Sequence, residues 1–248
     1  MPIIDTFVNK HIDAELIRLN KERESDHKSS GKLSASMLYQ PVRWQLLKNL
    51  GATRKEFDAY TLAKFKRGVD VEEWYVTQLR EAGVLVEPKA KDGQDFVEYR
   101  DCVGYIDSVI DTDKMQAKKG IIPNEIKSVT NMKMKRIKKT GIDWHYKIQA
   151  CLYALAMGVD HYAVTVISAE DLRSDMQIFQ TREMKRDVDH AISEYMKAME
   201  NWKKDHSLPM FEANEHVKWT GNIKYAMFIE DWVNDSWAIK ELEKLGKL

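Results

Sequence analysis

At Gly83 the chain changes period, and that change constrains its fold more than any other feature. Before it, apolar residues recur at helical spacing; after it come short runs rich in Val, Ile and Tyr, parted by turn residues. Residues 5–24 predict an amphipathic helix with Val8, Ile12, Leu16 and Leu19 on one stripe, and "SDHKSSGK" breaks it with small and polar residues. "SASMLYQPVRWQLLKNLG" predicts a helix that starts near Ser34 or Ser36, restarts at Pro41 and ends at Gly51. A further helix covers about 60–82, with Leu62, Phe65, Val69, Trp74, Val76 and Leu79 at its apolar positions. The strands predicted next are "VLVEP", "FVEYRDCVGYIDSVID" and "IIPNEIKSV". A helix over 144–157 follows, closed by Gly158. Then come a buried strand "HYAVTVISA", a shorter one "MQIFQT" and a long charged helix over 183–204. The tail from Pro209 carries Trp219, Trp232 and Trp237 and is expected to pack back on the body.

Composition narrows the class. With 44% hydrophobic and 31% charged residues the chain has the balance of a soluble globular protein. No apolar run approaches the ~20 residues that span a bilayer, so no membrane role is expected. The first residues lack the basic-then-apolar layout of a secretory signal, which points to an intracellular protein. Cys102 and Cys151 cannot supply four thiolates, so no iron–sulfur cluster of the four-cysteine kind is expected. Formal net charge is zero, but the charges are not evenly spread. Between Lys114 and Lys147 ten Lys and Arg face only Glu125 and Asp143, and the rest of the chain compensates.

Within that basic stretch, "GIIPNEIKSV" sets an acid and a lysine two apart in an apolar run. Side chains alternate along a strand, so Glu125 and Lys127 share a face while Ile126 and Ser128 point away. Asp/Glu-x-Lys by itself is a loose pattern, and it recurs at Asp26–Lys28, Glu87–Lys89 and Glu183–Lys185. Those copies read as solvated charges: one in a polar linker, one before Pro88, one in a helix where i and i+2 do not face each other. Glu125 differs because Asp107 lies upstream in the apolar run "GYIDSVI", where an acid without a partner is costly. A turn at "DTDKMQAKKG" would make the two strands neighbours and bring Asp107 beside Glu125. Two convergent carboxylates suit Mg2+ or Mn2+, which take oxygen ligands and keep several waters. Glu72 or Glu73, on the helix before the strands, offers a further acid. Gln149 and Tyr153, four apart, lie on one face of the helix that follows.

The order Gly68-x-x-x-Glu72, Gly104-x-x-Asp107, Glu125-x-Lys127, Gln149-x-x-x-Tyr153 resembles the PD-(D/E)XK nuclease superfamily. The Gln-x-x-x-Tyr helix is similar to that of its RecB-like branch, which holds CRISPR-adaptation nucleases and phage exonucleases. "SASMLYQPVR" resembles the branch's N-terminal segment, and the likeness runs from residue 34 to about 168. Two positions depart from the pattern. Gln40 stands where the cluster-bearing members have their first cysteine, and Glu72 stands where a His is frequent. The resemblance implies an α/β fold with a restriction-endonuclease-like core, a central mixed β-sheet flanked by helices, and helical N- and C-terminal additions. Residues 1–60 would form the N-terminal segment, 61–204 the nuclease core and 205–248 an extension packed on it.

By the same resemblance Asp107, Glu125 and the Ile126 carbonyl would hold Mg2+ or Mn2+, with Glu72 completing the site directly or through water. Lys127 would orient or deprotonate the attacking water, and Gln149 and Tyr153 would position the nucleotide or Lys127. Ser36, Arg43 and His145 are candidates for a phosphate, or else for bracing helices. In "NMKMKRIKKTG" the cations Lys133, Lys135, Arg136, Lys138 and Lys139 are expected to grip the DNA backbone, with Met132, Met134 and Ile137 on an apolar side. The function implied is a metal-dependent DNA nuclease, an exonuclease of recombination, repair or phage DNA processing in the cytoplasm. Its partners would be DNA ends, single- or double-stranded, and a recombinase, helicase or single-strand-binding protein. The alternative is a non-catalytic DNA-binding or helicase-partner module that keeps the fold.

Overall fold

The structure is a computed structural model that describes residues 3–26, 31–53, 56–90, 94–210 and 234–248. Helix α1 (Ile3–Asp26) leads to a two-residue strand β1 (Leu33–Ser34), a single 3-10 turn (Ala35–Met37) and α2 (Val42–Leu50). Pro41 cannot continue a helix from the turn before it, so it starts the next one, and Gly51 ends α2 in a left-handed conformation. Helix α3 (Ala59–Glu81) is capped by Asp58, whose carboxylate accepts from the Thr61 N–H. The strands β2 (Leu85–Val86), β3 (Asp95–Tyr99), β4 (Cys102–Ile106), β5 (Ser108–Asp111) and β6 (Ile121–Val129) follow. Helices α4 (Asn131–Thr140) and α5 (Trp144–Met157), strands β7 (His161–Ser168) and β8 (Ser174–Gln180), α6 (Thr181–Asp205) and α7 (Asp235–Lys244) complete the order.

The larger sheet runs β2-β5-β6-β7-β8, and the smaller one β1-β4-β3. In the larger sheet β6 and β7 are parallel and the other pairs antiparallel, so the sheet is mixed. One face of β6 meets α3: Ile122 packs with Leu79 and Ile110, and Ile126 with Val71 and Ile167. The other face looks toward α5, where Val129 joins the main core with Ile148, Tyr153, Val164 and Val166. Glu125 and Lys127 have the parity of Val129, and so fall on the α5 side. This α/β architecture, a mixed sheet flanked by helices with helical additions at both ends, is the one the sequence predicts. Among the described residues no helix is long and apolar enough to cross a membrane.

Three expectations change. The apolar run "GYIDSVI" is two strands: Asp107 forms a bend where the chain leaves the smaller sheet as β4 and enters the larger as β5. The stripe on α1 is not buried, since Ile12 is 51% and Leu19 42% exposed; Val8's side chain lies outside the described residues. On α3, Leu62, Val71 and Leu79 face inward, while Phe65, Val69 and Trp74 are exposed, because only one stripe of so long a helix can meet the sheet. At the far end α7 packs through Ala238, Leu242 and Trp237, whereas Trp219 and Trp232 lie outside the described residues.

Candidate active site

The antiparallel register of β5 and β6 pairs Ser108 with Asn124. One step further Asp107 comes opposite Glu125. Although half-exposed at its bend, Asp107 turns its carboxylate inward, and its Oδ2 accepts the Ile126 N–H at 2.7 Å. Beneath, the Asn124 amide donates to the Ser108 hydroxyl at 3.0 Å and its oxygen accepts from Thr165 at 2.8 Å, which locks β5, β6 and β7. Glu125 is wholly buried. Its Oε1 is in ion-pair contact with the Lys127 ammonium, and Oε2 finds no hydrogen-bond partner among the described residues. Glu72 reaches in from α3, held by the Gln94 amide at 3.0 Å.

These charges feel one another. Burial, then the Asp107 charge, raises the Glu125 carboxyl to about 8 against the pull of Lys127. The same two causes raise Glu72 to about 7. Asp107 is raised by burial too, with Lys127 and the Ile126 N–H opposing. Burial disfavours the Lys127 ammonium, but Glu125 and Asp107 more than offset it and hold its pKa above the ordinary value. Three carboxyls against one lysine leave a deficit of positive charge, which a divalent cation would fill.

The donor set fits such an ion. It consists of hard oxygens, and the unpartnered Glu125 Oε2 is the kind of buried atom that a hydrogen-bonded core does not leave. Among the described residues no three acidic, His or Cys side chains close together on one point. Asp107, Glu125 and the Ile126 carbonyl would therefore need water to complete the shell, as Mg2+ favours, with Glu72 acting through such water.

Helix α5 supplies the wall. The Gln149 amide donates to the Tyr153 hydroxyl at 2.9 Å, and both side chains are buried. Burial, then Glu125 and Asp107, pushes the Tyr153 hydroxyl well above its ordinary range, so it keeps its proton. Gly104 makes room for this ring: a Cβ there would lie 2.7 Å from Tyr153 Cε1 and 2.9 Å from the Ala35 Cβ. His145 packs between Tyr39 and Tyr146, at 5.3 Å and 4.1 Å between ring centroids.

The basic run is helix α4, capped by the Thr130 hydroxyl. Met134 and Ile137 are buried, but Met132 is 80% exposed and does not join the apolar side expected of it. Lys135, Lys138 and Lys139 are exposed, while Lys133 and Arg136 both turn to Asp143. Arg43 does not face the site. It is 2% exposed, donates to the Pro209 carbonyl at 3.1 Å and pairs with Asp235 at 2.6 Å, so the bracing role replaces the phosphate contact. Ser36 is exposed and shares a hydrogen bond with Ser34 at 2.9 Å. A concavity of about 650 Å3 lies elsewhere, between α6 and the β3–β4 turn.

No protein-family model matches the sequence, and no curated protein does. Solved structures resemble the fold. An alkaline exonuclease (LHK-Exo) from Laribacter hongkongensis is 15% identical, with 70% of this chain and 92% of that one covered and a TM-score of 0.46. The same enzyme in complex with dAMP gives 16%, 70%, 92% and 0.47, and SSO0001 gives 13%, 75%, 86% and 0.43. At these identities the likeness is one of fold alone.

Tyr39, Gln94 and Tyr146 also belong to the surroundings of these side chains. Tyr146 was legible: it stands at i, i+3 and i+7 with Gln149 and Tyr153, on one helical face. Tyr39 and Gln94 gave no such signal, since one sits in an irregular turn and the other at a strand's edge.

Proposed function

We propose that the chain is a divalent-metal-dependent nuclease of PD-(D/E)XK type that hydrolyses phosphodiester bonds in DNA from an end. The observation that carries this is Glu125, buried beside Asp107 and Lys127 with a carboxylate oxygen left unpartnered. Asp107, Glu125 and the Ile126 carbonyl would hold Mg2+ or Mn2+, which when bound supplies Lewis acidity toward phosphate and a water of lowered pKa. Lys127 stays charged beside the reacting phosphate and offsets the charge that develops on it. Glu125 fixes that ammonium, Gln149 and Tyr153 would position the nucleotide or Lys127, and the exposed cations of α4 would hold the strand.

End-labelled linear and closed circular DNA, each incubated with Mg2+, Mn2+ or EDTA, test the reading. Metal-dependent loss of the linear form alone is expected. Asp107→Ala and Lys127→Ala should each slow cleavage by roughly a hundredfold or more while the protein stays folded. Full turnover by either variant, or by wild type in EDTA, would remove the assignment.

A further inference from the structure

The cations of α4 are not equivalent. Lys135, Lys138 and Lys139 point to solvent, whereas the Lys133 side chain is only 25% exposed. Its ammonium donates to the Tyr146 hydroxyl, lies 4.5 Å from that ring's centroid and stands 3.2 Å from Asp143 Oδ2. Asp143 cannot neutralise it alone, because Arg136 takes both carboxylate oxygens at 2.7 Å. Lys133 and Arg136 thus share Asp143, and the Lys133 ammonium has only part of that carboxylate. This cluster borders a site with an excess of acids: Glu72, Asp107 and Glu125 against Lys127. Tyr146 joins the two, since its ring packs on His145, His145 packs on Tyr39, and both tyrosines lie within electrostatic reach of Lys127.

Each strand of duplex DNA carries one phosphate charge for about every 3.4 Å of helix axis, so the phosphates flanking the scissile one are its near neighbours. A strand laid with one phosphate at the carboxylates therefore brings the next to a neighbouring group, and a half-buried ammonium with incomplete neutralisation is suited to receive it. We propose that Tyr146 is a positioning residue of the substrate site, whose hydroxyl holds the Lys133 ammonium against the phosphate adjoining the scissile one. This deepens the nuclease reading and rests on it. It also separates Lys133, which would act at one phosphate beside the chemistry, from the exposed cations, which hold the strand at large.

The test uses DNA strands carrying one uncharged methylphosphonate at successive positions, with wild type, Tyr146→Phe, Lys133→Met and the double variant. Binding is read by fluorescence anisotropy in EDTA and cleavage by single turnover in Mg2+. For wild type, neutralising the phosphate next to the scissile one should weaken binding and slow cleavage by about tenfold, on the order of one charge-assisted hydrogen bond. Lys133→Met should show the same loss on unmodified DNA and none further on that methylphosphonate. Tyr146→Phe should lose most of this discrimination although every charge remains, and the double variant should be no worse than Lys133→Met. Lys138→Ala should bind all strands more weakly with the positional pattern intact. A wild-type pattern in Tyr146→Phe, or persistent discrimination in Lys133→Met, overturns the proposal alone. Wild type that cleaves nothing in Mg2+ or Mn2+ overturns the nuclease reading and this proposal together.

Discussion

Gly104 lies where the Tyr153 ring crosses β4, and a methyl there would press on both that ring and Ala35. Neither neighbour can yield cheaply, because Tyr153 is fixed by Gln149 and Ala35 sits in the core. Gly104→Ala should therefore cost roughly 1–3 kcal/mol in a urea titration, as overpacking does, and should slow cleavage by displacing Asp107 three residues on. Unchanged stability would mean that the ring is looser than its packing implies. The carboxyls make a second prediction at this scale. Glu125 at about 8 and Glu72 at about 7 lie above the ordinary 4.5 because burial favours the neutral acid. The folded state then holds these protons more tightly than the unfolded one, so stability is greatest below about 4.5 and falls as pH rises through 8. Lys127, raised in the same site, loses no charge in that window. In EDTA the melting temperature should drop between pH 6 and pH 9, by roughly 2–4 °C for each kcal/mol lost. Mn2+ should narrow the drop, since it binds the ionised carboxylates, and Glu125→Gln should flatten it. A Glu125→Gln profile as steep as that of wild type would show that other groups set the slope.

Element by element, legibility followed periodicity. Strand β6 was plain because apolar residues and turn signals bound it on both sides, and α5 because Gln149 and Tyr153 fit one helical face. The bend at Asp107 was hidden: Val, Ile and Tyr continue unbroken through β4 and β5, and nothing local marks a change of sheet. Arg43 was hidden as well, because its partners Pro209 and Asp235 are remote in sequence and reach it only through the fold. Helix α4 was half legible. Its charges were countable, but which of them Asp143 takes depends on where α5 begins. That division sharpens the expectation for DNA binding. The triple variant Lys135→Ala, Lys138→Ala, Lys139→Ala removes the exposed cations and spares the two tied to Asp143. If all three touch phosphates, the slope of log K against log[salt] should flatten by about 2.7, with affinity falling alike for every sequence. Binding in Ca2+ at several salt concentrations measures it, and an unchanged slope would return this face of α4 to solvent.

In the whole molecule the main apolar cluster draws on all three segments. It draws Leu33, Trp44 and Leu47 from the N-terminal part, Ile148 and Val188 from the middle, and Ala238 and Leu242 from α7. Polar contacts tie the same ends: Arg43 to Pro209 and Asp235, and the Thr53 hydroxyl and N–H to Glu241. A C-terminal helix that only rests on a finished domain would melt first and leave the body intact. One that closes the core should melt with it. Leu242 is fully buried among these residues, and so is Leu152 of α5. Leu242→Ala and Leu152→Ala should therefore each lower stability by roughly 2–5 kcal/mol. Both should shift one shared urea transition without changing its slope. Tryptophan fluorescence and far-ultraviolet dichroism, followed together, give the measurement. Trp44 and Trp202 report the body, Trp237 reports α7, and dichroism reports the helices as a whole. Coincident curves for wild type and both variants place α7 inside the cooperative unit. If Leu242→Ala instead produces an early fluorescence step while the main dichroism transition stays where it was, α7 is an appendage and the core is complete without it.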